Sequence, residues 1–162
     1  MNRRPRIAIR LDSGAVLGFG HAKRCMTIAN AFRDANCDVK FVCRNNPDSY
    51  FKSATHGHDV FWIEMDCADR ASHHALNSSD AESTAEICAK NGYKPDLVIL
   101  DHYELDIAWE KCIRTRSNKI LVIEDFLGRR HSADYVLGSS LKLKNESYFE
   151  EPAATAFLLG QE

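Results

Sequence analysis

The sequence predicts an α/β protein: a Rossmann-like parallel sheet with helices on both faces. Three observations predict it. Strand-like and helix-like segments alternate along the chain, the order that builds parallel sheets through crossover connections. Two runs, Asp96–Leu100 (DLVIL) and Lys119–Ile123 (KILVI), are continuously apolar after their first residue, as strands covered on both faces are. The chain of 162 residues is 44% apolar, which suits a single domain over residues 1–162 with a core of its own.

The elements follow in order. Arg6–Leu11 (RIAIRL) alternates and reads as the first strand. Asp12–Gly20 holds three glycines and reads as a loop. His21–Asn36 places Ala22, Cys25, Ile28, Ala29 and Phe32 on one helical face. Cys37–Cys43 is the second strand, and Asn45, Asn46, Pro47 and Asp48 supply turn chemistry before a short helix. His58–Glu64 is the third strand. Asp66–Asp80 is polar and reads as a long loop, and Asp80–Asn91 as a helix stopped by Gly92. Asp96–Leu100 is strand four, Leu105–Arg116 a helix, and Lys119–Ile123 strand five. Ala133–Leu137 and Ala153–Leu159 read as two further strands. The chain stops directly after the last of them, which reads as a domain edge rather than a finished terminus.

Composition excludes several classes. The net charge is -2 and the basic residues are scattered, so no field for nucleic acid is present. No apolar run reaches membrane length, and the N-terminus lacks a signal-peptide pattern, so the expected location is the cytoplasm. The six cysteines, Cys25, Cys37, Cys43, Cys67, Cys88 and Cys112, form no C-x-x-C pair. They read as reduced, mostly buried residues, with no zinc site expected. His73 and His74 are adjacent and would point apart on a strand, so no metal is expected there either.

In an open parallel sheet, ligands bind beyond the carboxyl ends of the strands. Three polar clusters fall there: Asp12, Ser13, Gly14, Gly18, Gly20 and His21 after strand one; Asp101, His102 and Tyr103 after strand four; Glu124 and Asp125 after strand five. The fold brings all three to one rim. The glycines either form a plain turn or let the backbone approach a ligand whose phosphate sits on the next helix N-terminus. The pattern is neither a Walker A loop nor G-x-G-x-x-G, so neither ATP nor a nicotinamide cofactor is expected. His21, at the start of that helix, is either a capping residue or a neutral imidazole able to take a proton near pH 7. Asp101, His102 and Tyr103 could orient a base or hold a sugar, or simply end a strand.

The run Arg10–Gly14, then Gly18–Phe19–Gly20–His21 and Arg24–Cys25, resembles the opening of the UDP-sugar hydrolases of pseudaminic acid biosynthesis. It is also similar to related spore-coat polysaccharide proteins. Phe41–Arg44, Leu100–Tyr103, Glu124–Asp125 and Leu158–Gly160 extend the likeness over nearly the whole chain. The resemblance implies the N-terminal half of a GT-B-like fold, two Rossmann-like domains facing across a cleft. It implies attack by water at the anomeric carbon of a UDP-linked amino sugar, with inversion and without a metal or other cofactor. By position, His21 matches the family's base and Tyr103 its tyrosine near the sugar. Ser13 matches a substrate-facing position, and Asp12 and Arg24 match positions of loop organisation or phosphate contact. Two departures stand out: Glu124 replaces an aspartate, and the nucleotide-holding C-terminal domain is not in the sequence. A GT-B glycosyltransferase and a non-catalytic sugar-binding or assembly module are the alternatives.

Overall fold

A computed structural model describes residues 3–14, 19–45, 49–53, 57–64, 72–126, 129–138 and 156–159. The elements are β1 (Arg6–Leu11), α1 (Gly20–Asp34), β2 (Asp38–Arg44), α2 (Tyr50–Ser53), β3 (Asp59–Ile63), α3 (His73–Lys90), β4 (Leu97–Asp101), α4 (Ile107–Ile113), β5 (Lys119–Glu124), β6 (Tyr135–Gly138) and β7 (Ala156–Leu159). Gly18, Cys67, the 46–48 turn and residues 153–155 lie outside the described residues.

Seven strands form one sheet in the order β3-β2-β1-β4-β5-β6-β7, and every neighbouring pair is parallel. The order reverses between β1 and β4. On one face α1 and α2 bury Ala22, Cys25, Ala29 and Phe51 against Ile9, Phe41 and Ile99. On the other, α3 and α4 bury Leu76, Ala81, Trp109 and Ile113 against Ala8, Val98 and Val122. The alternation of side chains along β4 and β5 feeds both cores, which is why these two strands read as continuous apolar runs.

Two helices end by the same device. Asn36 takes φ 63 and Gly92 takes φ 63, each just past its helix. The following amides reach back to Phe32 O at 3.0 Å and Cys88 O at 2.8 Å, as in a Schellman motif.

The polar stretch read as a loop over Asp66–Asp80 is corrected in its second half. Residues 73–80 are the first turns of α3, capped by Ser72, whose side chain accepts from Ala75 N at 3.1 Å. The inward positions are Leu76, Asn77, Asp80, Ala81, Thr84 and Cys88, a helical period. Asn77 and Asp80 belong to it because tertiary partners satisfy them. Asn77 donates to Glu104 O at 3.3 Å and accepts from Asp106 N at 2.9 Å. His73 and His74 sit exposed on the first turn of this helix, not on a strand.

A second buried polar group lies between α4 and β5. His131 is 2% exposed, with Nδ1 2.8 Å from Glu110 and Nε2 3.1 Å from Glu124. Burial acts to lower its pKa, but the two carboxylates outweigh it and hold it at about 9. The group is raised above its unfolded value of about 6.5. Its contribution is therefore complete below pH 6.5 and is lost as pH rises through 9. We expect stability to fall by about 3 kcal/mol across that window. Urea denaturation at pH 6 and pH 9.5 checks this, and His131→Asn should remove most of the slope.

Among the described residues no helix is long and apolar enough to cross a membrane, and no group of His, Cys, Asp and Glu could hold a metal ion. Cys25, Cys43 and Cys88 are buried free thiols, Cys37 is half-buried and Cys112 is exposed.

Candidate active site

The crevice between β1 and β4 is where the strand order reverses, the usual ligand position in such sheets. Leu11 and Asp101 lie opposite one another at its mouth. Asp101 ends β4 and is 1% exposed. His21, the second residue of α1, points its Nδ1 at Asp101 Oδ1 across 2.6 Å. Arg24 Nη2 also lies 3.2 Å from Nδ1, but the carboxylate contact is much the shorter and a carboxylate only accepts, so Nδ1 carries the hydrogen. Among the described residues Nε2 has no hydrogen-bond partner, so its lone pair is left available.

Arg24 lies one turn after His21 and grips the same carboxylate. Its Nε donates to Asp101 Oδ2 at 2.6 Å and its Nη2 donates to Oδ1. Its Nη1 donates to Asp125 Oδ2 at 2.5 Å. Cys25 adds a thiol donor 3.2 Å from Asp101 Oδ2. Burial works against the charge on Asp101, but the hydrogen bonds from Arg24 and His21 outweigh it and hold the carboxyl below the usual range. Asp101 is thus an ionised anchor that sets the tautomer of His21. Asp125 is tied in through Arg24, so α1, β4 and the end of β5 meet at one guanidinium.

The second histidine differs. Side chains alternate along a strand, and His102 turns away from His21 toward Asp12. Its Nδ1 accepts from Glu104 N at 3.0 Å, so Nε2 carries the hydrogen and donates to Asp12 Oδ2 at 3.0 Å. Both nitrogens are engaged, and burial lowers the pKa of this ring, keeping it neutral. Asp12 is equally occupied. It accepts from Arg10 Nη1 at 2.6 Å and from Arg44 N at 2.9 Å. Asp12 and His102 therefore organise the loop and present no spare polar atom.

Ser13 Oγ accepts from Tyr50 N at 3.2 Å, which ties the loop to α2. Gly14 is buried. At Gly20 an added β-carbon would meet no described atom within 4 Å. Packing within the described chain does not demand glycine there. Gly20→Ala should leave the melting temperature unchanged or slightly raised, alanine being the better helix former. It should weaken binding of a ligand that lies on this helix start. Thermal melting beside titration with inorganic phosphate checks both halves.

Asp12, His21, Asp101, His102, Tyr103 and Glu104 line a recess with about 20 Å³ of space for a water molecule's centre, room for about one water. Tyr103 covers it from outside: the ring is half exposed and stands edge-to-face on His21, centroids 4.4 Å apart. Larger hollows exist on the far side of the sheet, such as that between the ends of α3 and α4, but they hold none of these residues.

The sequence reading missed the residues beneath the site. Arg10 and Asp80 are both 0% exposed and joined at 2.5 Å. Arg44 lies 3.2 Å from each of Asp12 and Asp80. One signal was present: Arg10 stands between Ile9 and Leu11 in a strand otherwise apolar at its centre. A guanidinium there requires a buried anion.

Fold and site together define a Rossmann-like α/β domain with a histidine–carboxylate centre at its switch point. The chain's fold is that of one half of a GT-B arrangement. It superposes on Acinetobacter baumannii MurG, a GT-B glycosyltransferase, with a TM-score of 0.64 at 11% identity, over 99% of this chain and 46% of that one. In sequence it is similar to the uncharacterized protein MJ1062 of Methanocaldococcus jannaschii, 26% identical over 159 residues. That match covers 96% of this chain and 29% of the archaeal protein, so the chain spans less than a third of its relative. No protein-family model matches the chain.

Proposed function

We propose that this chain is the N-terminal domain of a two-domain UDP-sugar hydrolase. The reaction releases UDP and 2,4-diacetamido-2,4,6-trideoxy-altrose for pseudaminic acid biosynthesis. The observation that carries the reading is the His21–Asp101 pair: Nδ1 held by an ionised carboxylate, Nε2 unpartnered, beside a recess of single-water size. In the proposed step Nε2 takes a proton from water as its oxygen bonds to the anomeric carbon. The bond from that carbon to the β-phosphate oxygen breaks, and its electron pair leaves on the diphosphate. Attack opposite the leaving group inverts the centre. UDP is a good leaving group, so the step demands no strong general acid.

Two further features support this reading. Helix α1 begins with no side-chain cap and no acidic residue in its first turn, leaving amide hydrogens for a phosphate. The Gly20–His21 and Asp101–His102–Tyr103 motifs carry the resemblance to the hydrolases. In a GT-B arrangement the second domain, joined in cis or supplied in trans, holds most of the nucleotide. This domain alone should therefore turn over negligibly.

The test is UDP release from UDP-2,4-diacetamido-2,4,6-trideoxy-altrose by the two-domain protein, with His21→Ala alongside. Release that falls on the order of a hundredfold in the variant supports the reading. No release by the intact protein sinks it, and an acceptor hydroxyl then replaces water at His21, as in a transferase of the same fold.

A further inference from the structure

Among the described residues the exposed large hydrophobic side chains are Phe19, Tyr103 and Phe126. All three lie on the rim that carries His21. Phe19 directly precedes α1 and sits 5.9 Å from Tyr50, on the β2 side. Tyr103 and Phe126 follow β4 and β5, on the other side, with centroids 5.0 Å apart and planes at 62°. Each of these two is 49% exposed. The rest of the described surface has no such aromatic.

The geometry points to a glycosyl subsite: Phe126 and Tyr103 form an angled aromatic corner that receives the apolar face of the sugar ring, and Phe126 selects deoxy, N-acylated sugars over hydroxyl-rich ones. This rests on the proposed nucleotide-sugar reading and extends it to a residue that the motifs do not include. Three arguments carry it. Tyr103 touches His21, so a group seated in the corner lies beside the water that His21 activates. That water attacks the anomeric carbon, and the corner therefore flanks the reacting end of the sugar. The diphosphate and ribose hold the uracil well away from it, so the corner belongs to the sugar and not to the base. Aromatic faces are electron-rich and favour C–H edges, whereas hydroxyls pressed against them lose water without a partner. Methyl groups at a deoxy carbon and on acetamido groups lose nothing there. The Tyr103 hydroxyl makes no hydrogen bond among the described residues and is left for an acetamido oxygen.

The experiment is saturation-transfer NMR on this chain with three probes: free 2,4-diacetamido-2,4,6-trideoxy-altrose, glucose and UDP. Irradiating the aromatic protons should transfer saturation to the methyl groups of the deoxy sugar and little to glucose. Phe126→Ala should weaken deoxy-sugar binding about tenfold, with an unchanged melting temperature because the ring is half exposed. Phe126→Trp should retain it. Absence of transfer to the deoxy sugar, full retention in Phe126→Ala, or equal transfer to glucose would overturn the inference. So would UDP in place of the sugar as the group that receives saturation from these rings. The outcome is independent of hydrolysis: sugar binding without UDP release removes the hydrolase reading and leaves the subsite standing.

Discussion

Asp101→Asn is expected to abolish most of the activity of the two-domain protein while leaving the histidine in place. In the native site the carboxylate accepts from Nδ1, which leaves the lone pair on Nε2. An asparagine amide can donate instead. The imidazole then places its hydrogen on Nε2, and the nitrogen that should take the proton from water becomes a donor. Loss of a correctly tautomerised base costs on the order of 10²- to 10⁴-fold in rate. The loss should appear in kcat more than in KM, because Asp101 is buried and acts through His21. Adding Asp101→Asn to His21→Ala should cost little more than either alone, since the two act as one unit. Arg24 would lose part of its anionic partnership, so melting curves accompany the kinetics. If a well-folded Asn variant retains UDP release within threefold, the tautomer argument fails and His21 is not the base.

The largest stability effect is expected beneath the site. Asp80→Ala should destabilise the domain by about 3–5 kcal/mol, the range for removing one partner of a buried ion pair. Asp80 accepts from Arg10 Nε at 2.9 Å, from Arg10 Nη2 at 2.5 Å and from Trp109 Nε1 at 2.9 Å. Arg10 is itself fully buried, and Asp12 alone would have to balance it. The ionic pair is not thereby a large net stabiliser. Replacing both members with apolar residues, Arg10→Met with Asp80→Leu, should recover much of the loss. Urea midpoints of the three proteins decide it. A cost below about 1 kcal/mol for Asp80→Ala would show that the arginine finds water or another anion.

The network also ties stability to the site. Arg10 and Arg44 both hold Asp12, and Asp12 holds His102, which follows Asp101 in the chain. A variant that loosens Asp80 should therefore lower activity along with stability, although no atom of Asp80 lines the recess.

Much of this architecture was readable in advance, for reasons particular segments illustrate. The apolar runs of β4 and β5 announced strands covered on both faces. Gly92 announced the end of α3, because it supplies the positive φ that the terminus uses. The start of α3 was misread, because Asn77 and Asp80 look like solvent residues until their partners are known. Glu110 and His131 were passed over for the same reason, and Arg10 and Arg44 entered only through the family resemblance, without their pairing: a charge in a strand or helix announces burial only when an opposite charge from a distant segment meets it.

The sequence by itself determined the alternation of strands and helices, the parallel sheet, and the three polar clusters that the sheet must carry to one rim. Those depend on local periodicity and on chain connectivity, which are properties of neighbours in sequence. The tertiary structure decided the roles within the clusters. Both His21 and His102 lie at the rim, beside aspartates. His102 spends both nitrogens on the protein and His21 keeps one free, because Asp101 at the end of β4 meets α1 while His102, the next residue, meets Asp12. Hydrogen-bond occupancy is a property of three-dimensional partners separated by many residues, and no spacing in the chain encodes it.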